Sequence, residues 1–197
     1  MKLCSKIFFR LKLTIFKIYA QLRVSKYKLL SLNKAHGDYI CIQPIQLMGV
    51  GSVELNLVSF GVEQSPCFFC SYGYLEARKK GSEIIIGENT FINNNVYICA
   101  EQTTIKIGRD CLIGVSFSCI DSDFHGIHPE ERRGGNQICR SVTIGNNVFI
   151  GNNVSVLKGV IVGDNSVIAS NSVVTKSFPD NVVIAGNPAQ IIKEFSS

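Results

Sequence analysis

From Ile144 onward an aliphatic β-branched residue recurs at every sixth position: Ile144, Ile150, Val156, Val162, Ile168 and Val174. The next residue is usually small (Gly145, Gly151, Gly163, Ala169), and a second small or aliphatic residue follows four positions after each (Val148, Val154, Val160, Ser166, Ser172). Upstream the same register runs through Ile86, Ile92 and Ile98 and, after a three-residue shift, Ile107, Ile113 and Cys119. A fixed short period of this kind predicts a parallel β-solenoid over Ile84–Thr175, in which each turn buries its apolar face by stacking on its neighbours. The corners between strands need left-handed backbone, which Gly and Asn tolerate best. Asn93-Asn94-Asn95, Asn146-Asn147 and Asn152-Asn153 fall there. Periodicity alone leaves the hand of the coil open.

The flanks read differently. Ile40 to Lys80 is irregular and glycine-rich, which predicts imperfect first coils. Residues from Lys2 to about Leu32 form an amphipathic helix when projected at 100° per residue. Leu3, Ile7, Phe8, Leu11, Ile15, Ile18, Tyr19 and Leu22 share one sector; Lys2, Lys6, Arg10, Lys12, Lys17 and Arg23 share the other, with Phe9, Leu13 and Phe16 among the cations. Two roles fit: a cap packed on the open end of the solenoid, or an interfacial helix on anionic lipid. The expected division is a basic helical segment 1–36, a solenoid domain 37–185 with an insertion at 120–143, and a tail 186–197.

Charge sharpens the division. The chain of 197 residues carries a net charge of +5, yet nine Lys or Arg precede the first acidic residue, Asp38. The rest holds 11 basic and 15 acidic residues, a net of −4. A nucleic-acid role for the basic segment is disfavoured, since its cations lie on one helix without a base-stacking module. Eight cysteines include one Cys-x-x-Cys, Cys67 to Cys70, with no second pair to complete a metal site, so these are read as packing thiols. No secretory leader is evident and no run reaches the roughly 18 apolar residues of a membrane span. A reduced, cytoplasmic setting is expected, with peripheral contact at the inner face of the membrane if the helix binds lipid.

The hexapeptide register stops after Cys119 and resumes at Ile144. Between them runs Asp121-Ser-Asp-Phe-His125-Gly-Ile-His128-Pro-Glu-Glu-Arg-Arg, holding two of the three histidines. A loop thrown from a rigid scaffold is where chemistry tends to sit. Histidine titrates near neutrality and suits general-base work. Asp121 or Asp123 is placed to fix its tautomer.

These features resemble the hexapeptide-repeat acyltransferases of the left-handed β-helix class, and within them the bacterial O-acetyltransferases of sugars and surface polysaccharides. The resemblance spans roughly Leu75 to Lys193. It rests on IGENTFINNNVYI, DSDFHGIHPEERR, VTIGNNVFIGNNVSVLKGVIVGDNSVIASNSVVTK and AGNPAQIIK. It implies an all-β, left-handed parallel β-helix assembled as a homotrimer, with sites between adjacent subunits. It further implies acetyl-CoA as co-substrate, no permanently bound cofactor, and a sugar or glycan acceptor. His125 matches the family's catalytic base, with His128 the alternative. Asn152 and Ser170 match positions along the pantetheine arm, Thr175 and Lys176 the nucleotide end, and Lys193 a basic position near the phosphates. Asn94, Asn95, Glu101 and Asp123 are the candidate acceptor contacts; for the asparagines, corner geometry is an equal explanation. Two positions depart from some relatives: Gln190 stands for Arg, and Phe149 for Trp.

Two other readings compete. A γ-carbonic-anhydrase-like zinc site needs three histidine ligands, and only His36, His125 and His128 exist. A non-catalytic solenoid that binds glycans or scaffolds a partner would leave the loop histidines dispensable.

Overall fold

The computed structural model describes residues 2–134 and 137–195. The chain winds through three parallel sheets that close a triangular coil. Face I carries Tyr39–Cys41, Val58–Phe60, Phe91–Ile92, Leu112–Ile113, Phe149–Ile150, Val167–Ile168 and Val182–Gly186, and ends in an antiparallel strand, Ala189–Glu194. Face II carries Ile45–Gly49, Gly73–Ala77, Tyr97–Ala100, Ser118–Ile120, Ser155–Val156 and Val173–Val174. Face III carries Ser52–Leu55, Glu83–Ile86, Thr104–Ile107, Val142–Ile144 and Ile161–Val162. Thr143 pairs with Ile161, Phe149 with Val167 and Ser155 with Val173, so a full turn takes 18 residues, three of the six-residue repeats. This is the expected left-handed parallel β-helix.

The six-residue aliphatics become three interior columns. Leu75, Ile98, Cys119, Val156 and Val174 stack behind face II. Phe60, Ile92, Ile113, Ile150, Ile168 and Ile184 stack behind face I. Almost all are fully buried, and each such aliphatic contributes about 1.5–3 kcal/mol. At the corners the second asparagine of each pair takes left-handed backbone, with φ of +53° at Asn147 and +57° at Asn153. Their side chains then bond the asparagine one turn on: Asn147 Nδ2 donates to Asn165 Oδ1 at 2.9 Å and Asn153 Nδ2 to Asn171 Oδ1 at 3.1 Å.

Residues 40–80 form the first coils, as expected. The solenoid begins earlier than residue 37: Leu32 and Asn33 donate to Leu47 O, and His36 bridges to Glu54 on face III. Within the tail, Ala189–Glu194 closes the end of face I.

Helix α1 spans Lys2–Leu30. Its C-terminal half leans on the first coil and on the 61–72 excursion between faces I and II. Phe16 packs against Phe68 and Phe69, Tyr27 stacks on Tyr72, and buried Arg23 donates to Phe68 O and Ser71 O. The helix therefore does pack on the solenoid, but through the side where Phe16 lies among cations. Of the apolar sector read from the sequence, Ile7, Phe8, Leu11, Ile15, Ile18 and Leu22 remain exposed, while Tyr19 meets the Phe69 ring.

Candidate active site

The second excursion, from Asp121 to Ser141, leaves the edge between faces II and III. One coil earlier on that edge is the corner Glu101-Gln102-Thr103, whose extra residues produce the three-residue shift in register. Asp121 lies fully buried between the two. Its Oδ1 accepts from Glu101 N at 2.7 Å, and its Oδ2 accepts from Gln102 N at 3.1 Å, Thr103 N at 2.8 Å and Thr103 Oγ1 at 2.7 Å. Arg140 N returns to Asp121 O at 2.8 Å, and Ser122 bridges Cys139 to close the loop at its root. Asp121 is thus a loop anchor, and the expectation that it orients a histidine is corrected: its carboxylate is already occupied by amide and hydroxyl donors.

Beyond the root the chain turns sharply. Phe124 has φ of +61°, an unusual conformation for a bulky side chain and one that surrounding contacts must hold. The Arg78 guanidinium lies 4.9 Å from the centre of the Phe124 ring. His125 follows directly and is exposed; among the described residues no hydrogen bond engages its ring. Asp123, just before the turn, pairs through Oδ1 with Lys158 of the next coil, while its Oδ2 is buried without a partner.

Arg78 is held in turn by carboxylates. Its Nε donates to Glu76 Oε1 at 3.0 Å and its Nη2 to Glu76 Oε2 at 2.9 Å, and it also pairs with Glu101. The Arg78 bonds hold the Glu76 carboxyl below the usual carboxylate range. Burial pushes the Tyr74 and Tyr97 hydroxyls up to about 12, so both are neutral donors at physiological pH. Tyr74, Glu76, Arg78, Tyr97 and Ser118 line an open groove of about 660 Å³ over face II, flanked at its other edge by the 61–72 excursion. The alternation Tyr74, Glu76, Arg78 is the outward side of one strand and was visible in the sequence. Lys158, 35 residues from Asp123, carried no such signal.

The residues expected to bind acceptor divide. Asn94 is a correction: it is fully buried, accepts from Val62 N at 3.0 Å, and donates to Val62 O, Ser65 O and Pro66 O, bracing the 61–72 excursion. Asn95 lines the groove and donates to Ser116 Oγ at 2.9 Å. Glu101 is almost completely buried, yet its carboxylate takes Arg78, Lys79 and Gln137. It belongs to the wall beneath the loop and supports Arg78.

The expected cofactor positions lie on both edges of face II. Asn152 and Ser170 stack on the face I–II edge, where Asn152 N donates to Ser170 Oγ at 3.0 Å and Asn152 Oδ1 accepts from Val115 N at 2.9 Å. Thr175 and Lys176 are exposed on the II–III edge, two coils beyond the loop root. Lys176 Nζ donates to Gln190 Oε1 at 2.7 Å, which ties the closing strand to the last coil. Lys193 is exposed on that closing strand, over the Phe195 ring.

Burial pushes the Cys99 and Cys41 thiols up to about 12 and raises that of Cys119 as well, which makes them poor nucleophiles. The packing role holds for Cys99, Cys111 and Cys119 but not for Cys70, which is exposed. His36 lies four strand spacings from the loop's return strand, roughly 19 Å at ~4.8 Å each. Among the described residues no group of three His, Cys, Asp or Glu is placed to hold a metal ion.

Comparison with known proteins places this geometry. Residues 141–176 match the bacterial transferase hexapeptide model (six repeats), and residues 104–128 the hexapeptide repeat of succinyl-transferase. The chain is 34% identical over 154 residues to a galactoside O-acetyltransferase of Lactococcus lactis, covering 78% of this chain and 70% of that protein. It is 42% identical over 116 residues to the galactoside O-acetyltransferase of Escherichia coli (strain K12), covering 59% of this chain but only 56% of that protein. Several curated relatives are likewise matched over less than two thirds of their length. Among solved structures, the polysialic acid O-acetyltransferase OatWY superposes with a TM-score of 0.60 at 29% identity, covering 82% of this chain and 75% of that one. With the repeat matched and 34% identity to a relative covered over more than two thirds of its length, the chain belongs to the hexapeptide-repeat acyltransferase family.

Proposed function

We propose that the protein transfers an acetyl group from acetyl-CoA to a hydroxyl of a sugar or surface-glycan precursor, with His125 as general base. One observation carries this reading: contacts hold the loop up to the residue before His125, the His125 imidazole is exposed and makes no hydrogen bond among the described residues, and Arg78, which holds Phe124, lines the groove. Asp121 anchors the root, Lys158 holds Asp123, and Arg78 clamps Phe124. Relatives that act on galactosides and polysialic acid support a carbohydrate acceptor.

The chemistry needs little else. A sugar hydroxyl attacks the thioester carbonyl while His125 takes its proton; the tetrahedral intermediate expels the CoA thiolate, and the same proton returns to the leaving sulfur. General-base assistance of this kind contributes about 10²–10⁴-fold. No acyl-enzyme is required. The unpartnered Asp123 Oδ2 is suited to accept from an acceptor hydroxyl or from the His125 ring. Asn95, Tyr74 and Tyr97 offer further polar contacts along the groove.

The acyl-CoA would run along the outside of face II, with Asn152 and Ser170 on one edge and Thr175, Lys176 and Lys193 toward the phosphate end. A homotrimer would complete the site. The outward column of face I, with Phe91, Leu112, Phe149 and Val167 in register, supports self-association: Leu112 and Phe149 are 55% and 51% exposed, a contiguous apolar strip that monomers seldom leave to water.

The test is thiol release from acetyl-CoA against a panel of sugars and nucleotide sugars, run beside His125→Ala. Release that needs no acceptor hydroxyl, or none with any sugar, would overturn the reading.

A further inference from the structure

The face of α1 that the solenoid leaves uncovered is an extended exposed apolar surface. At 100° per residue, the residues that touch the solenoid (Phe16, Tyr19, Arg23, Tyr27) centre roughly 125° from the stripe Ile7, Leu11, Ile15, Ile18, Leu22 and Leu29. The packed helix therefore points its aliphatic stripe away from the body. Ile7, Ile18 and Leu22 are 60%, 55% and 62% exposed, and every side chain from Lys6 to Ile15 is exposed. That overhang is roughly 20 Å of helix beyond the packed half.

Cations border the stripe on both sides. Lys6, Arg10, Lys17 and Lys28 run along one flank, Lys12 and Lys26 along the other, and all are exposed. Among the described residues none of them makes an ion pair. No acidic residue precedes Asp38. A second copy of this helix laid on the stripe would set cation against cation, which opposes self-pairing. An aliphatic ridge between two rows of long basic side chains instead suits a bilayer surface: the ridge enters the acyl boundary, while lysines and arginines extend to anionic headgroups. Among the described residues no helix is long and apolar enough to cross a membrane, so α1 would lie in the interface.

We propose that the outward face of α1 docks the protein on an anionic lipid surface, independently of the acyltransfer reaction. A glycan acceptor carried on a lipid would thereby be brought to the solenoid.

The test uses the full chain and vesicles of phosphatidylcholine, with and without phosphatidylglycerol, in flotation at physiological salt. Each cation near an anionic surface strengthens binding roughly fivefold, so Lys6→Gln, Arg10→Gln and Lys17→Gln together should weaken it by on the order of 100-fold. Ile18→Asp with Leu22→Asp should abolish it while leaving the unfolding temperature unchanged, because both sites are exposed and free of the solenoid. Equal binding to neutral and anionic vesicles, or binding to neither, would overturn the proposal. So would a loss of oligomer mass by light scattering in the double aspartate variant with vesicle binding intact, which would give the face to another copy of the chain.

Discussion

Replacing Asp121 with Ala tests how the loop is held. The carboxylate is completely buried and receives four hydrogen bonds, three from the backbone of the Glu101–Thr103 corner and one from the Thr103 hydroxyl. A buried donor left without an acceptor costs about 1–3 kcal/mol. The Glu101 amide faces the interior and has no alternative; those of Gln102 and Thr103 sit at a more open turn and regain water in part. The expected loss for Asp121→Ala is then about 3–4 kcal/mol. Asp121→Asn keeps the shape and one acceptor oxygen but turns an amide NH2 donor toward donors, and should cost about 2 kcal/mol, between native and Asp121→Ala. Urea unfolding followed by circular dichroism, at one fixed protein concentration, reads both values. A change under about 1 kcal/mol for Asp121→Ala would refute the anchoring role, because it would mean that water replaces the carboxylate without penalty.

Other consequences follow from single contacts. Asn153→Ala should destabilise by about 1–2 kcal/mol, because alanine resists left-handed backbone, whereas Asn153→Gly should cost less; thermal unfolding of the pair separates backbone from ladder. Glu76 has a depressed pKa in the folded protein, so its contribution to stability is complete above the ordinary carboxylate pKa of about 4.3 and is lost as pH falls through the lower folded value. Glu76→Gln should flatten stability in that acid window, and an unchanged acid limb would count against the Arg78 pair.

The repeat made most of the architecture readable before any coordinates. A period of six with β-branched residues at fixed positions admits few folds, and the interior columns follow it residue by residue. The loop was legible as the place where that period lapses. Orientation was not. The helical pattern of residues 2–30 says which side is apolar, but only packing reveals that Phe16, Arg23 and Tyr27 meet the solenoid and the aliphatic side does not. Nor does residue type alone separate roles at the corners. Asn94 and Asn95 are adjacent, yet one is buried as a brace and the other lines the groove. Asp121 and Asp123 differ in the same way: one carboxylate is enclosed by amides, the other keeps an oxygen without a partner. Those distinctions depend on residues a full coil or more away, which no local window contains.

The sharpest examination of the account is the rate of acetyl-CoA-dependent thiol release with an active sugar acceptor for the native protein, His125→Ala and His128→Ala, with assembly checked by light scattering. We expect His125→Ala to fall by at least ~10²-fold with its assembly and CoA binding intact, and His128→Ala to remain close to native. Full turnover in the His125 variant, or the same collapse in both, would contradict the assignment of that one imidazole as the base.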